Sequence, residues 1–394
     1  MYNYIPLEQA ADILDSYRKP VNSKERLNLI KGKPLDELFP YYGATGQVGW
    51  IDSFLTDGEY ILLGEDGAPF LNPYAEKAYI IHGKTWVNNH VHILHSKTNN
   101  EFLCYYLNYF NYKKYVSGTT RLKLTQAQMR KIPIPNIPSD EQSRIVARIE
   151  ELFSELDKAV DTLKTTKEQL EVYRQAVLKD AFDNAQAMCE RFTPIEELLV
   201  TDRKGMSTGP FGTMLKKHEH KTTGVPMLGI ENIDSGKFID GNKIFVTPEK
   251  AAELKSFALK SGDIIISRSG TVGELCVVPP RMEGALLSTN LMRVSLDCQK
   301  VLPEYFIYLF QSKGIVLDQV KELCKGSTRI FLNQTILKQI QFPIPNVHEQ
   351  LQIINTIESR LTFCDNIEKT VDTALAQADA MRQSILKQAF EGTL

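Results

Sequence analysis

The sequence predicts an α+β protein built twice: two similar globular units separated by two long helices that form an antiparallel coiled coil, with an internal pseudo-two-fold duplication. Three observations predict it. The string RQAVLKDAF at 174–182 returns as RQSILKQAF at 382–390, 208 residues later. Each copy closes a long run of heptad-spaced apolar residues. Each run follows a region of short β-type segments, Gly- and Pro-rich turns and then helical stretches. A chain of 394 residues has room for this plan, given a soft prior of roughly 150 residues per domain.

The first unit is expected over 1–138. Strands are predicted in EYILLGEDGAPF (59–70) and WVNNHVHIL (86–94), and a helix in EFLCYYLNYFNYKKYV (101–116). The proline-punctuated IPIPN at 132–136 cannot be helical, so a long helix starts after it and fills 139–186. Ser139 can cap that helix, with Gln142 reaching back to complete a capping box. One heptad series runs Ile149, Leu156, Leu163, Leu170, Val177, and a second runs Ile145, Leu152, Ala159, Thr166, Tyr173. The second unit follows over 187–345, with strands in DIIISRSGTVGELCVV (263–278) and NLMRVSL (290–296) and helix in PEYFIYLFQSKGIVLDQV (303–320). FPIPN at 342–346 then opens the last helix over 346–394, with Asn346 and Glu349 as its capping box. Its seam is looser, through Ile353, Ile357, Ile367, Val371, Ala374, Ala378, Met381 and Ile385.

Laid without a gap, 141–182 and 349–390 share 15 identities in 42 positions, and GTTR at 118–121 faces GSTR at 326–329 further upstream. A period of 208 is far beyond the roughly 20–50 residues of solenoid repeats, so the repeated object is a whole domain plus its helix. Forty-two helical residues span roughly 63 Å at 1.5 Å per residue, and a stripe of that length needs a partner. The second copy matches it, which makes an intramolecular antiparallel pairing the simplest arrangement; a homodimeric coiled coil is the alternative. The expected packing residues are Ile149, Leu156, Leu163, Leu170, Val177, Ile357, Val371 and Ile385, while Arg174, Lys179, Arg382 and Lys387 are expected to face outward toward partners. Loops differ between the copies, YYGATGQVGW (41–50) against STGPFGTMLKKHEHK (207–221), as expected if each unit recognises something different.

The net charge of −2 is unevenly spread. Residues 1–140 hold 15 Lys+Arg against 14 Asp+Glu, and 192–345 hold 19 against 16. The segments 141–191 and 346–394 hold 8 against 11 and 4 against 7, so the helices are acidic and the globular units weakly basic. The N-terminus lacks a signal-peptide pattern and no run reaches about 18 apolar residues, so a cytoplasmic protein with no membrane partner is expected. The six scattered cysteines suggest neither a disulfide framework nor a zinc site.

Catalytic patterns are missing. There is no phosphate-wrapping G-x-x-x-x-G-K-S/T, no D/N-P-P-Y/F turn for an amine to be methylated, no G-x-S-x-G and no H-E-x-x-H. His90, His92 and His95 in NHVHILH could face a metal, but no acidic or cysteine ligand stands at a suitable spacing, so no metal is expected. DNA recognition fits better. Thr119, Thr120 and Arg121, and in the second copy Ser327, Thr328 and Arg329, could offer backbone and hydroxyl donors to phosphates and a fork to guanine, with Lys123 adjacent. The competing reading is an arginine paired to a carboxylate at a domain–helix junction. Lys216, Lys217 and Lys221 form a phosphate-contacting loop or an ordinary solvated one. Arg268 and Ser269 in SRSGT, opposite Glu65 and Asp66 in GEDGA, sit at the turn after a buried strand and either read base edges or hold the turn.

The paired IPIPN…EQ and FPIPN…EQ junctions, the helices ending in RQAVLKDAF and RQSILKQAF, and the strings STGPFG, GDIIISRSG and YYGATGQVG together resemble the specificity subunits of type I restriction-modification systems over essentially the whole length. The resemblance implies two target-recognition domains, each reading half of a bipartite asymmetric site in double-stranded DNA, with helical spacers between them. It also implies docking of two methyltransferase (modification) subunits that bind S-adenosylmethionine, and of restriction subunits that use ATP and Mg. This chain would then be non-catalytic, with no cofactor of its own. The alternative from another class is a two-headed protein-interaction scaffold without DNA specificity.

Overall fold

The computed structural model describes residues 3–189, 191–211, 214–268, 272–312, 314–324 and 331–394. The chain divides into two compact units, Met1–Thr165 with Val371–Leu394, and Thr166–Thr370. The C-terminal end of the chain thus completes the first unit.

In the first unit an antiparallel sheet orders Ala11–Ile13, Val91–Ser96, Tyr60–Gly64 and Ala78–Ile81. A second sheet orders Gly46–Ile51, Phe39–Gly43, Lys84–Val87 and Thr56–Asp57, with Tyr41 running parallel to Trp86. The strand Tyr60–Gly64 reads as a continuous apolar run because both of its faces are buried. Ile61 and Leu63 join a core with Phe102, Leu107 and Ile149, while Leu62 joins Val87, Val91 and Ile93 on the other side. The helix Asn100–Tyr109 is capped by Asn99, whose Oδ1 accepts from the Phe102 N–H at 2.7 Å.

The second unit repeats the plan. Its four-stranded antiparallel sheet orders Met206–Thr208, Leu291–Val294, Ile264–Ser267 and Leu275–Val277. The second sheet orders Ile244–Val246, Val225–Leu228 and Leu286–Leu287, again with one parallel pairing. Ile264 and Ile266 face one core and Ile265 the other. Each unit also has a two-strand clip that fixes its long helix: Asn3–Pro6 with Pro133–Asn136, and Phe192–Pro194 with Gln341–Pro343. The clip carbonyls of Pro133 and Pro343 accept from Tyr106 and Tyr305 hydroxyls, each at 2.7 Å.

The long helices span Ser139–Met188 and Val347–Glu391. Within each unit they run antiparallel, Asp157 meeting Arg382 in the first and Lys167, Arg174 and Asp180 meeting Glu368, Asp365 and Arg360 in the second. The expected series is present: Ile149, Leu170, Val177, Ile357, Val371 and Ile385 are buried, and Leu156 and Leu163 are half-buried. The companion series holds in part: Ile145, Leu152 and Thr166 are half-buried, Ala159 and Tyr173 are exposed, and Phe153, Val160, Lys167, Arg174 and Ala181 also turn inward. Two of these are charged, and their seam position is stabilised by carboxylates on the opposite helix.

The caps divide as well. Asn346 and Glu349 exchange the expected hydrogen bonds, both at 3.0 Å. Gln142 does not reach back to Ser139. It is buried and donates to the Ile137 carbonyl at 3.0 Å while accepting from Thr98 at 2.9 Å, and Gln350 repeats this on the Pro345 and Lys300 carbonyls, both at 2.8 Å. A buried amide is stabilised more by satisfying carbonyls inside the core than by a solvent-exposed box.

Candidate nucleic-acid interface

In the first unit the loop 117–123 closes on itself through Ser117 and Lys123, whose backbones exchange hydrogen bonds at 3.0 and 2.8 Å. Gly118 takes φ +103°, where a side chain would be strained and would press on the Arg121 carbonyl. The loop is pinned to the GED turn: Gly67 N–H donates to the Leu122 carbonyl at 3.1 Å and Leu124 N–H to the Glu65 carbonyl at 2.7 Å. Thr119, Thr120, Arg121 and Lys123 all stand exposed on it.

Arg121 takes the carboxylate alternative, though on a loop tip rather than a domain–helix junction. Its Nη2 donates to Asp66 at 2.7 Å with the side chain 62% exposed, so the fork stays open to solvent on its other face. Asp66 also holds His90 Nδ1 at 2.7 Å, and Glu65 holds Lys123 at 3.1 Å and Arg18 more closely. Beneath them Asp15 meets His92 Nδ1 at 2.7 Å, Gln126 at 2.8 Å and the Ile93 N–H at 3.0 Å. Burial opposes charge on Asp15, yet the hydrogen bond and charge of His92, with Gln126 and Ile93, hold its carboxyl below the usual carboxylate range. His90 and His92 thus serve two separate aspartates, and no group of three or more His, Cys, Asp or Glu among the described residues could hold a metal.

The second unit keeps the backbone and changes the side chains. Arg268 N–H donates to the Asn290 carbonyl at 3.0 Å where Glu65 N–H donates to His90 at 2.8 Å, and Leu332 N–H donates to the Arg268 carbonyl at 3.1 Å where Leu124 serves Glu65. Glu65 is therefore replaced by Arg268, and His90 by Asn290. Arg268 lies 5.4 Å over the Phe211 ring and donates to the Leu332 and Thr289 carbonyls at 3.3 and 3.2 Å; burial lowers its pKa. Lys216, Lys217 and Lys221 are exposed, and none has an ion-pair partner among the described residues. Ser269, Ser327, Thr328 and Arg329 lie outside the described residues.

On the helices, Lys179 and Lys387 are exposed as expected, 2.6 Å from Asp183 and 4.0 Å from Glu391 respectively. Arg174 and Arg382 do not face outward. Arg174 bridges Asp365 at 2.6 Å and Glu368 at 2.9 Å, and Arg382 pairs with Asp157 while lying 4.5 Å over the Phe153 ring. Each is drawn inward because the opposite helix offers an aspartate at the duplicated position.

The sequence pattern described as the type I restriction modification DNA specificity domain matches residues 9–172 and 211–377. The chain belongs to this family. Specificity subunits read DNA sequence and are not themselves catalytic. A Haemophilus influenzae protein assigned as a type I restriction enzyme specificity subunit is 28% identical over 394 residues, 95% of this chain and 91% of that one. The EcoKI specificity subunit of Escherichia coli K12 is 27% identical over 300 residues, 71% of this chain and 61% of that one. Among solved structures, a chain from work on complex assembly and conformational transition of the type I system superposes with a TM-score of 0.70 at 15% identity, covering 100% and 98% of the two chains. The HsdS subunit of Thermoanaerobacter tengcongensis gives 0.52 at 15% identity, covering 100% and 97%, and these two likenesses bear on the fold.

Proposed function

We propose that each unit of this specificity subunit reads one half of a bipartite, asymmetric duplex-DNA site, and that the paired helices fix the unread spacer between the halves. The recognition domains are residues 1–138 and 187–345, and the spacers 139–186 and 346–394. The observation that carries the reading is one backbone scaffold presenting Glu65 and His90 in the first unit and Arg268 and Asn290 in the second. A duplicated frame with exchanged charges is suited to two different half-sites. Thr119, Thr120, Arg121 and Lys123, the corresponding Ser327, Thr328 and Arg329, and the group Lys216, Lys217, Lys221, Arg268 and Ser269 make the DNA contacts.

Duplicated helices give two identical methyltransferase subunits equivalent places to dock, with Lys179 and Lys387 on their exposed faces. Arg174 and Arg382 support those faces from within. Each unit has a cleft beside its arginine, about 510 Å³ around Tyr105, Asp157 and Arg382 and about 790 Å³ around Glu304, Asp365 and Arg174, consistent with matched docking. S-adenosylmethionine is bound by those partners, ATP and Mg by restriction subunits, and the complex works in the cytoplasm. No helix among the described residues is long and apolar enough to cross a membrane.

Adenine-methylation mapping of a genome exposed to the chain with its methyltransferase partner tests this. A single motif of two defined halves around a fixed run of unspecified bases is expected; methylation without sequence preference would favour the protein-scaffold alternative.

A further inference from the structure

One slot of the topology differs in length between the units: the connection from the edge strand of the four-stranded sheet to the next sheet, residues 14–38 in the first unit and 209–224 in the second. In the second unit it holds Lys216, Lys217 and Lys221. In the first it includes RKPVNSKERLNLIKGK at 18–33, with six Lys/Arg against the single Glu25.

The helix Ser23–Ile30 in this segment buries none of its residues and leaves Leu27 62% and Leu29 36% exposed. Eight residues fall short of the roughly 12–15 that sustain a helix alone in water. It is tied down at few points. Asn22 caps it by accepting from the Glu25 N–H at 2.9 Å, and the Arg26 guanidinium lies 4.6 Å over the Tyr41 ring with its buried Nη1 lacking any hydrogen-bond partner. Lys19 lies 5.9 Å over the Trp86 ring, and among the described residues Lys19, Lys24 and Lys31 have no carboxylate partner. The segment is continuous with the Arg121 loop, since Arg18 spans Asp15, Glu65 and the Val91 carbonyl.

We infer that residues 18–33 form a phosphate-gripping surface for duplex DNA, with Lys19, Lys24, Arg26 and Lys31 contacting the backbone and reading no bases. This rests on the DNA-reading function proposed above and adds a contact surface to it. Arg18 and Lys33 are already held by carboxylates, and Lys19, Lys24, Arg26 and Lys31 against Glu25 leave a net +3 on this short segment, complementary to a polyanion. Steered by this surface, the first unit is held on DNA while the Arg121 loop meets the bases.

The test is a salt titration of binding to duplex DNA of arbitrary sequence, using the full chain copurified with its methyltransferase partner. Each lost phosphate contact should remove about 0.9 from the slope of log affinity against log salt, so the Lys24→Gln, Arg26→Gln, Lys31→Gln triple variant should lower it by about 2–3. Lys24→Arg, Lys31→Arg should keep the slope, and the triple variant should methylate more weakly as salt rises, at a motif with the same bases as the parent's. An unaltered slope in a triple variant that still methylates that motif overturns the surface while leaving the DNA-reading function standing. Loss of methyltransferase copurification with an unaltered slope also overturns it, by making the face a protein contact. If the parent complex itself fails to bind duplex DNA, the proposed function falls and this surface with it.

Discussion

Arg174 and Arg382 occupy equivalent places in the repeated motif, and each finds the aspartate of the opposite copy, Asp365 and Asp157. Burial alone would lower the pKa of Arg174, but the Asp365 hydrogen bond and charge, with Glu368, raise it. Because Asp365 is 56% exposed, solvent screens the pair, and a double-mutant cycle on Arg174 and Asp365 should give about 0.5–1 kcal/mol of coupling. Arg382 and Asp157 should give a similar value. Asp15 offers a sharper signal. Its folded pKa lies below its unfolded value of about 3.9, so its contribution is complete above that value and lost as pH falls through the folded one. Asp15→Asn should cost about 1–2 kcal/mol at neutral pH, allowing for partial exposure, and denaturant midpoints of the two proteins should converge below about pH 4. A gap that stays constant with pH would show that the carboxylate charge is not what matters. These details were hard to read in the sequence. Arg121 stood out in the sequence as a candidate contact, but its partner Asp66 stands 55 positions away and only folding brings the loops together.

The helix ends carry more packing than their surface-like composition suggests. Phe182 lies 5.3 Å from the Tyr305 ring, and Phe390 lies 5.1 Å from Tyr106 and 5.4 Å from Phe102, so each closing motif anchors its helix in a globular core. Phe182→Ala and Phe390→Ala should each destabilise by about 3–5 kcal/mol, the first in residues 166–370 and the second in the unit completed by the C-terminus, resolved by hydrogen exchange. Protection lost equally in both units by either variant would contradict separate anchoring. The heptad series through Ile149 and Val177 was legible because all its members are apolar. Its companion was legible only in part, because Lys167 and Arg174 occupy inward positions that hydrophobic periodicity passes over. The basic segment 18–33 was diluted in the charge count by the carboxylates elsewhere in 1–140.

Across the whole molecule, duplication explains features that no single site explains: two clips, two tyrosine hydroxyls on proline carbonyls, two buried glutamines and two reciprocal arginines. The repeat was legible because the helices kept their residues, whereas the units kept topology and changed their loops. Conserved helices between changed readers are what a fixed spacing device needs. Seven residues added to both long helices preserve the heptad phase and lengthen the pair by about 10 Å, close to three base pairs of B-DNA. The decisive measurement is the adenine-methylation motif of this doubly extended variant beside that of the parent, each with the same methyltransferase partner. The expected result is two unchanged half-sites separated by about three more unspecified base pairs. Altered half-site bases, or an unchanged spacer, would contradict the reading of two recognition units held at a distance set by their helices.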